Sequence, residues 1–300
     1  MNKGRLVKDI GTSNASWDRV YRSSTESWQR GLFRLSSAAQ WSYVINMLYD
    51  YYQSLVGLRS IELGAGLAKT SALLALHGVK PTLIDYSQLA VEGAKNLFES
   101  IGQEADILYA DALQLPEKLH NSFDISISVG TAEHFSGADR LAFIRAHCLT
   151  LKPGGMGIII VPNSLCLRYN ILMNLAASFS LSLEKEYPFT AWELARLATA
   201  SGFSRVQVRG MNRKEAQERF QWQHLIRDCM NRYMPWLSGL FRRFKGAHTV
   251  FVETSSDFGL EMNELLPRLL ERPRACSSNR RDNAFGYALV MTGIRANCKG

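Results

Sequence analysis

An acidic residue followed by two closely spaced glycines, Glu62-Leu63-Gly64-Ala65-Gly66, closes a short apolar run of this chain. Glycine lets a backbone turn sharply and approach a ligand where a Cβ would collide. Between a strand and a helix, such a turn describes a nucleotide-binding first crossover, with Glu62 placed to accept hydrogen bonds from a ligand or from the turn itself. Nineteen residues past Gly66 comes Asp85, in Leu83-Ile84-Asp85-Tyr86-Ser87, where a carboxylate takes both hydroxyls of a ribose. A helix N-terminal carboxylate is the rival role for Asp85, but Ser87 is the more natural cap and leaves Asp85 free. Asp111 repeats the pattern in Tyr109-Ala110-Asp111-Ala112, or else organises the turn before Pro116. After Val129-Gly130 comes Thr131-Ala132-Glu133-His134-Phe135. An imidazole, with its pKa of about 6.5, can remove a proton at neutral pH, which makes His134 the candidate catalytic base. The alternative is that Glu133-His134 fixes its loop through backbone hydrogen bonds.

The elements that must position these residues alternate. Strands are expected at Arg59–Leu63, Pro81–Ile84, Ala105–Tyr109, Phe123–Val129, Met156–Val161 and Ser204–Val208, with Phe285–Ile294 as a returning edge strand. Helices are expected at Leu67–His77, Gln88–Ser100, Asp139–Leu151, Leu165–Ala177 and Ala191–Ser201, after a helical opening segment that includes Ala38–Gln53. Leu151-Lys152-Pro153-Gly154-Gly155 reads as a turn feeding the fifth strand. Such alternation predicts an α/β fold, a mainly parallel sheet covered on both faces. Between Val208 and Phe285 lies a stretch far longer than a hairpin loop, read as an inserted cap.

In order and spacing these motifs resemble those of class I S-adenosylmethionine-dependent methyltransferases, of the group acting on small molecules. The resemblance covers residues 15–210 and the last strand. It implies a Rossmann-like, doubly wound, seven-stranded sheet with the last strand antiparallel, and S-adenosylmethionine as cofactor. By the same resemblance Glu62, Gly64, Ala65 and Gly66 cradle the methionine part, Asp85 binds the ribose, and Tyr86 flanks the adenine. Asp111 and Ala112 meet the adenine edge, while Val129 and Gly130 lie beside the sulfonium. Trp17-Asp18-x-x-Tyr21 resembles a segment that closes over the cofactor. The family's third glycine is Ala68 here, small enough for close packing at a helix start. The fourth strand lacks an Asn/Asp-Pro-Pro-aromatic sequence, arguing against methylation of exocyclic base amines. It also lacks the carboxylate of metal-dependent relatives, so no metal is expected.

Composition bounds the remaining choices. At 300 residues and 46% apolar the chain can bury a substantial core, and no apolar run approaches membrane-spanning length. Five widely spaced cysteines with no Cys-x-x-Cys pair fit reduced thiols in a cytosol, and the N-terminus lacks a secretory apolar segment. The expected location is cytoplasmic, with peripheral contact at the inner face of the membrane left open. Four segments are expected: a helical extension over the cofactor site at 1–56, a cofactor-binding core at 57–208, a basic cap at 209–284, and the final strand with its tail at 285–300. Residues 1–208 carry 19 lysines and arginines against 18 acids; residues 209–300 carry 16 against 9. Any electrostatic role belongs to this last part. Trp222, Leu225, Ile226, Cys229 and Tyr233 form one helical face, continued by Trp236, Leu240, Phe241 and Phe244 beside Arg242, Arg243 and Lys245. Phe258, Met262, Leu265, Leu266 and Leu269 suggest a second amphipathic helix. A cap packed on the sheet, a membrane-surface contact, an anionic substrate held by the arginines, and a homodimer interface all fit. Interspersed acids and the absence of a reading motif argue against nucleic acid. The expected activity is methyl transfer to oxygen or nitrogen of a small molecule, such as a sugar or secondary metabolite. A lipid-linked acceptor and a non-catalytic cofactor-binding protein are the alternatives.

Overall fold

The computed structural model describes residues 17, 18, 21, 28–178, 186–212, 262–273 and 280–296. The expected aromatic and basic face from Trp222 to Lys245 lies outside the described residues, as does Phe258.

Seven strands form one sheet: β1 (Arg59–Leu63), β2 (Lys80–Asp85), β3 (Asp106–Tyr109), β4 (Phe123–Val129), β5 (Leu151–Pro162), β6 (Phe203–Met211) and β7 (Ala288–Arg295). Their spatial order is β3-β2-β1-β4-β5-β7-β6. Pairing is parallel from β3 through β5, while β7 runs antiparallel to both β5 and β6. The chain therefore reverses its direction of travel across the sheet between β1 and β4. In open α/β sheets ligands bind in the crevice at the strands' carboxyl ends at such a switch point.

Apolar residues on both sides of each central strand explain why the sheet is covered twice. Ile61, Leu63 and Ile159 pack with Phe143 and Ile144 of α5 (Gly137–Thr150) and with Leu194 and Ala198 of α7 (Ala191–Ala200). Leu83, Ile125, Ile127 and Ile158 pack on the opposite face. There they meet α1 (Trp28–Ser36), α2 (Ala39–Tyr52), α3 (Lys69–Leu76) and α4 (Gln88–Ser100). α6 (Leu167–Ser178) follows β5, and α9 (Arg280–Phe285) precedes β7. From the expected second amphipathic helix, α8 (Met262–Leu270) buries Leu265 and Leu269 in that second cluster, one helical turn apart.

Three expectations shift. From Trp28 to Tyr52 the opening helical segment is two helices, broken at Ser37-Ala38. Phe285 ends α9 rather than starting a strand, and β7 begins at Ala288. The expected Leu151–Gly155 turn lies inside β5: pairing jumps from Phe123↔Leu151 to Ile125↔Met156, and Gly154 takes a φ of 80°. A bulge of this kind adds residues to one strand without ending its pairing.

Candidate active site

β1 delivers Glu62 toward α3. Strand alternation sends Ile61 and Leu63 to one face and Glu62 to the other. There Glu62 Oε2 accepts from Ser71 N at 3.1 Å and Ser71 Oγ at 2.5 Å. Burial holds its pKa up at about 7, against the opposing pull of the Ser71 hydrogen bonds; Asp85 adds to the rise.

The turn after β1 is pinned to β2, with Gly64 N and Ala65 N both donating to Ile84 O, at 2.8 and 3.0 Å. Gly64 carries a φ of 68°, and a Cβ there would lie 2.4 Å from Thr131 Cγ2. Thr131 Oγ1 donates to Gly64 O at 3.1 Å, tying the first crossover to the loop after β4. A Cβ on Gly66 would lie 2.9 Å from Tyr21 Oη. Ala68, just before α3, has a φ of 52°, in the left-handed region that favours glycine. That is the physical use of a third glycine in this turn, and packing alone does not describe it.

Asp85 is buried but not idle. Its Oδ2 accepts from Gly66 N at 2.8 Å and its Oδ1 from Ser87 N at 2.9 Å. Ser87 is indeed the N-cap of α4, accepting from Ala90 N at 3.2 Å. The expectation that a Ser87 cap leaves Asp85 free is therefore corrected: Asp85 braces the turn, its carboxylate receiving the backbone N–H groups of Gly66, Tyr86 and Ser87. A carboxylate offers about four acceptor sites, so about one remains for a hydroxyl. Burial raises the Asp85 pKa, and Asp18 contributes in the same direction.

Asp18 Oδ1 accepts from Ser87 Oγ at 2.6 Å. Trp17 stacks on Tyr21 at 6.2 Å between ring centroids and meets the edge of His134 at 4.8 Å. Burial raises the Tyr21 pKa above its usual value, with Asp85, Tyr86 and Glu62 adding to it. One upstream segment thus touches the crossovers after β1 and β2 and the loop after β4. Tyr86, in the crossover after β2, is half-buried.

The outer members are less converged. Asp111 is exposed, its Oδ1 accepting from Leu113 N at 2.8 Å and its main-chain O from Gln114 N at 3.0 Å, which is the turn-organising arrangement. Ala112 is buried, Val129 half-buried and Gly130 exposed at the end of β4. His134 is buried in a short 3-10 turn, Ala132–His134. Its loop is fixed by backbone bonds, Tyr187 N to Glu133 O at 2.8 Å and His134 N to Thr131 O at 3.1 Å. Arg140 fastens the same loop: Nε donates to Phe135 O at 3.0 Å, Nη1 pairs with Glu193 at 2.7 Å, and Nη2 donates to Tyr187 O. Its guanidinium sits 3.8 Å above the Phe189 ring.

Two features escaped sequence reasoning. Ser126 and Ser128 of β4 bind the two ring nitrogens of His147, at 2.8 and 3.0 Å, and Thr150 completes the cluster. Burial pushes the His147 pKa down to about 3. The strand alternation Ser126-Ile127-Ser128 was the available signal. Glu133 is the second: burial, then Glu186, push its pKa up to about 8, with its own backbone N–H and then Arg140 acting against them.

Known proteins share this fold. Residues 61–155 fit the model of a methyltransferase domain. The chain is similar to methyltransferase domains over that stretch. Its fold is shared with 1,6-didemethyltoxoflavin-N1-methyltransferase of Burkholderia thailandensis, solved with S-adenosylhomocysteine: 14% identity, TM-score 0.53, covering 95% of this chain and 87% of that one. An S-adenosylmethionine-dependent methyltransferase of Thermotoga maritima is 16% identical with TM-score 0.53, covering 93% and 99%. Magnesium protoporphyrin IX methyltransferase of Synechocystis is 14% identical with TM-score 0.51, covering 96% of each chain. No curated protein matches the chain by sequence. Among the described residues no helix is long and apolar enough to cross a membrane, and no three His, Cys, Asp or Glu side chains gather as a metal site.

Proposed function

We propose that this methyltransferase domain uses S-adenosylmethionine to methylate oxygen or nitrogen of a small molecule, such as a sugar or a secondary metabolite. The observation that carries the cofactor reading is the charge of the cradle. Glu62 already occupies the Ser71 amide at the N-terminus of α3, so the pyrophosphate of a dinucleotide would meet a carboxyl where it needs free donors. A cation suits that place instead, and S-adenosylmethionine carries an ammonium and a sulfonium.

The residues present fit the cofactor. Gly64 and Gly66 let Thr131 and Tyr21 close against the turn, Glu62 would face the amino-acid part, and Asp85 keeps about one acceptor site for the ribose beside its three backbone partners. Tyr86 would flank the adenine, and Asp111 with Ala112 would meet its edge. Bound there, the cofactor supplies an activated methyl group for in-line displacement. Tyr21 and Trp17 cover the crevice and exclude water, and the Thr131–Gly64 bond sets the spacing between the first crossover and the loop of His134. Alignment and desolvation then supply much of the acceleration. His134, whose ring meets Trp17, is the group to take a proton from a hydroxyl acceptor. Substrates of the Burkholderia and Synechocystis enzymes are small molecules, which agrees with this reading.

Calorimetric titration of the purified protein with S-adenosylmethionine tests it, with a nicotinamide dinucleotide as control. Saturable binding of the first alone, weakened by Asp85→Ala, is expected. Binding of the dinucleotide alone, or neither ligand binding a folded protein, would refute the reading.

A further inference from the structure

Glu133 stands out as a buried carboxyl that nothing in the reaction so far described uses. It is 3% exposed, and its Oε2 has no hydrogen-bond partner among the described residues. The Glu133 backbone N–H serves the carboxyl, yet a buried carboxyl oxygen left without a partner is costly, and such an atom persists where a ligand completes it. The nearest cation does not supply the missing partner. Arg140 is committed to Phe135 O, Tyr187 O and Glu193, and it stacks on Phe189. A second acid, Glu186, precedes the Tyr187 whose amide binds Glu133 O, and it makes the Glu133 position more negative. The other titratable neighbour is His134.

Glu133 also faces the right place. Its Oε1 lies 3.5 Å from where a Cβ of Gly130 would be, and Gly130 is exposed at the carboxyl end of β4. An absent side chain at Gly130 leaves the carboxyl bordering the strand end next to the switch point.

From this geometry we infer that Glu133, with Glu186 behind it, receives the amino group of the methyl acceptor, so that the chain methylates an amine nitrogen. The inference rests on the cofactor reading above and names the substrate class for the same site. An ammonium group brings the N–H donor and the positive charge that the Glu133 Oε2 lacks; a hydroxyl brings one donor and no charge. In the reaction the nitrogen first loses a proton to a Glu133 oxygen. Its lone pair then forms the N–C bond as the methyl carbon's bond to sulfur breaks, and the sulfur keeps that electron pair. Glu133 is thereby both the binding partner and the proton acceptor of the amine.

The test uses the smallest ammonium fragment as probe. Thermal unfolding of the protein saturated with S-adenosylhomocysteine is followed at about pH 8 in matched concentrations of methylammonium chloride, potassium chloride and methanol. Methylammonium is expected to stabilise the wild type with an affinity roughly tenfold above that for potassium. Glu133→Gln, which keeps the shape and removes the charge, should erase the difference, and Glu186→Gln should reduce it. S-adenosylhomocysteine affinity, measured separately by calorimetry, should change less than about threefold in Glu133→Gln. Equal effects of methylammonium and potassium on the wild type, which need no variant to fold, would overturn the inference. So would a methylammonium effect that survives Glu133→Gln. Methylammonium binding by a protein that does not bind S-adenosylhomocysteine would overturn the acceptor role and the cofactor reading together, whereas normal S-adenosylhomocysteine binding without the ammonium effect would overturn only the acceptor.

Discussion

The contact between Gly64 and Thr131 should be the most sensitive steric point of the cradle. Gly64 takes a φ of 68°, where an L side chain costs about 1–2 kcal/mol. A Cβ would also stand 2.4 Å from Thr131 Cγ2 and 2.8 Å from Oγ1. Forcing a methyl into a packed site adds about 1–3 kcal/mol. Gly64→Ala should therefore lower stability by roughly 2–5 kcal/mol, or a fall on the order of 3–8 °C in Tm for a chain this size. The two costs are separable. Thr131→Ala removes the γ atoms responsible for the closest contacts, so in the Gly64→Ala background it should return the steric part and leave the backbone part. Alone it should cost about 0.5–1.5 kcal/mol through loss of the 3.1 Å bond to Gly64 O. The double-mutant cycle, read by denaturant unfolding, should then show a favourable coupling of about 1 kcal/mol or more. Additive effects, or a Gly64→Ala cost below about 1 kcal/mol, would mean that the turn and the loop after β4 are not in register as described.

Cofactor binding should release a proton near neutral pH. A carboxyl raised to about 7 is largely protonated in slightly acid solution, and a cation beside Glu62 would ionise it. Titrations with S-adenosylmethionine at about pH 6.5 in buffers of different ionisation heat should show release of up to about one proton, absent in Glu62→Gln. In the free protein the sign is opposite to that of a salt-bridged acid. The Glu62 contribution to stability is full below its ordinary 4.5 and is lost as pH rises toward 7, so Glu62→Gln should flatten that slope. His147 predicts an acid-side loss: neutral in the fold and lowered to about 3, it costs stability as pH falls from its usual 6.5 toward that value. His147→Gln should weaken that acid dependence in thermal unfolding while costing on the order of 1–3 kcal/mol at neutral pH through orphaned Ser126 and Ser128. Arg140→Lys should cost about 2–4 kcal/mol, because an ammonium cannot make the fork to Tyr187 and Glu193 and stack on Phe189 together; a loss below about 0.5 kcal/mol would discount the clamp.

The framework was legible because its signals are local. Arg59–Leu63, Phe123–Val129 and Gln88–Ser100 have the expected bounds, since period-two apolar runs and a serine cap each act within a few residues. The same holds for the Gly64-x-Gly66 turn and the acidic strand ends. What stayed hidden depends on residues distant in the chain. That Asp85 braces Gly66 requires β1 and β2 to be neighbours, and no spacing rule states which lone pairs such a brace consumes. Glu133 looked like half of a polar pair in a loop. Its isolation follows only from Arg140 being spent on the segment at Tyr187 and on Glu193. The left-handed turn at Ala68 was hidden too, because a sequence shows alanine's small size and not the φ it must adopt.

The acidic residues of the site form a pattern that single positions do not show. Glu62 is raised in part by Asp85, Asp85 in part by Asp18, and Tyr21 in part by both Asp85 and Glu62. Every one of these interactions disfavours negative charge, and none of the causes of these three shifts is a cation. Left to itself, Glu62 therefore holds a proton near neutrality that it would otherwise lose. A ligand carrying positive charge would relieve both carboxyls, Glu62 and Asp85, so part of its affinity comes from interactions already present in the free protein. That relief differs along the crevice. The ammonium of the amino-acid part persists through methyl transfer, while the sulfonium charge disappears when sulfur takes back its electron pair. The Glu62 end should thus hold cofactor and product alike. Discrimination between them falls to the β4 end, where Gly130 and Glu133 stand.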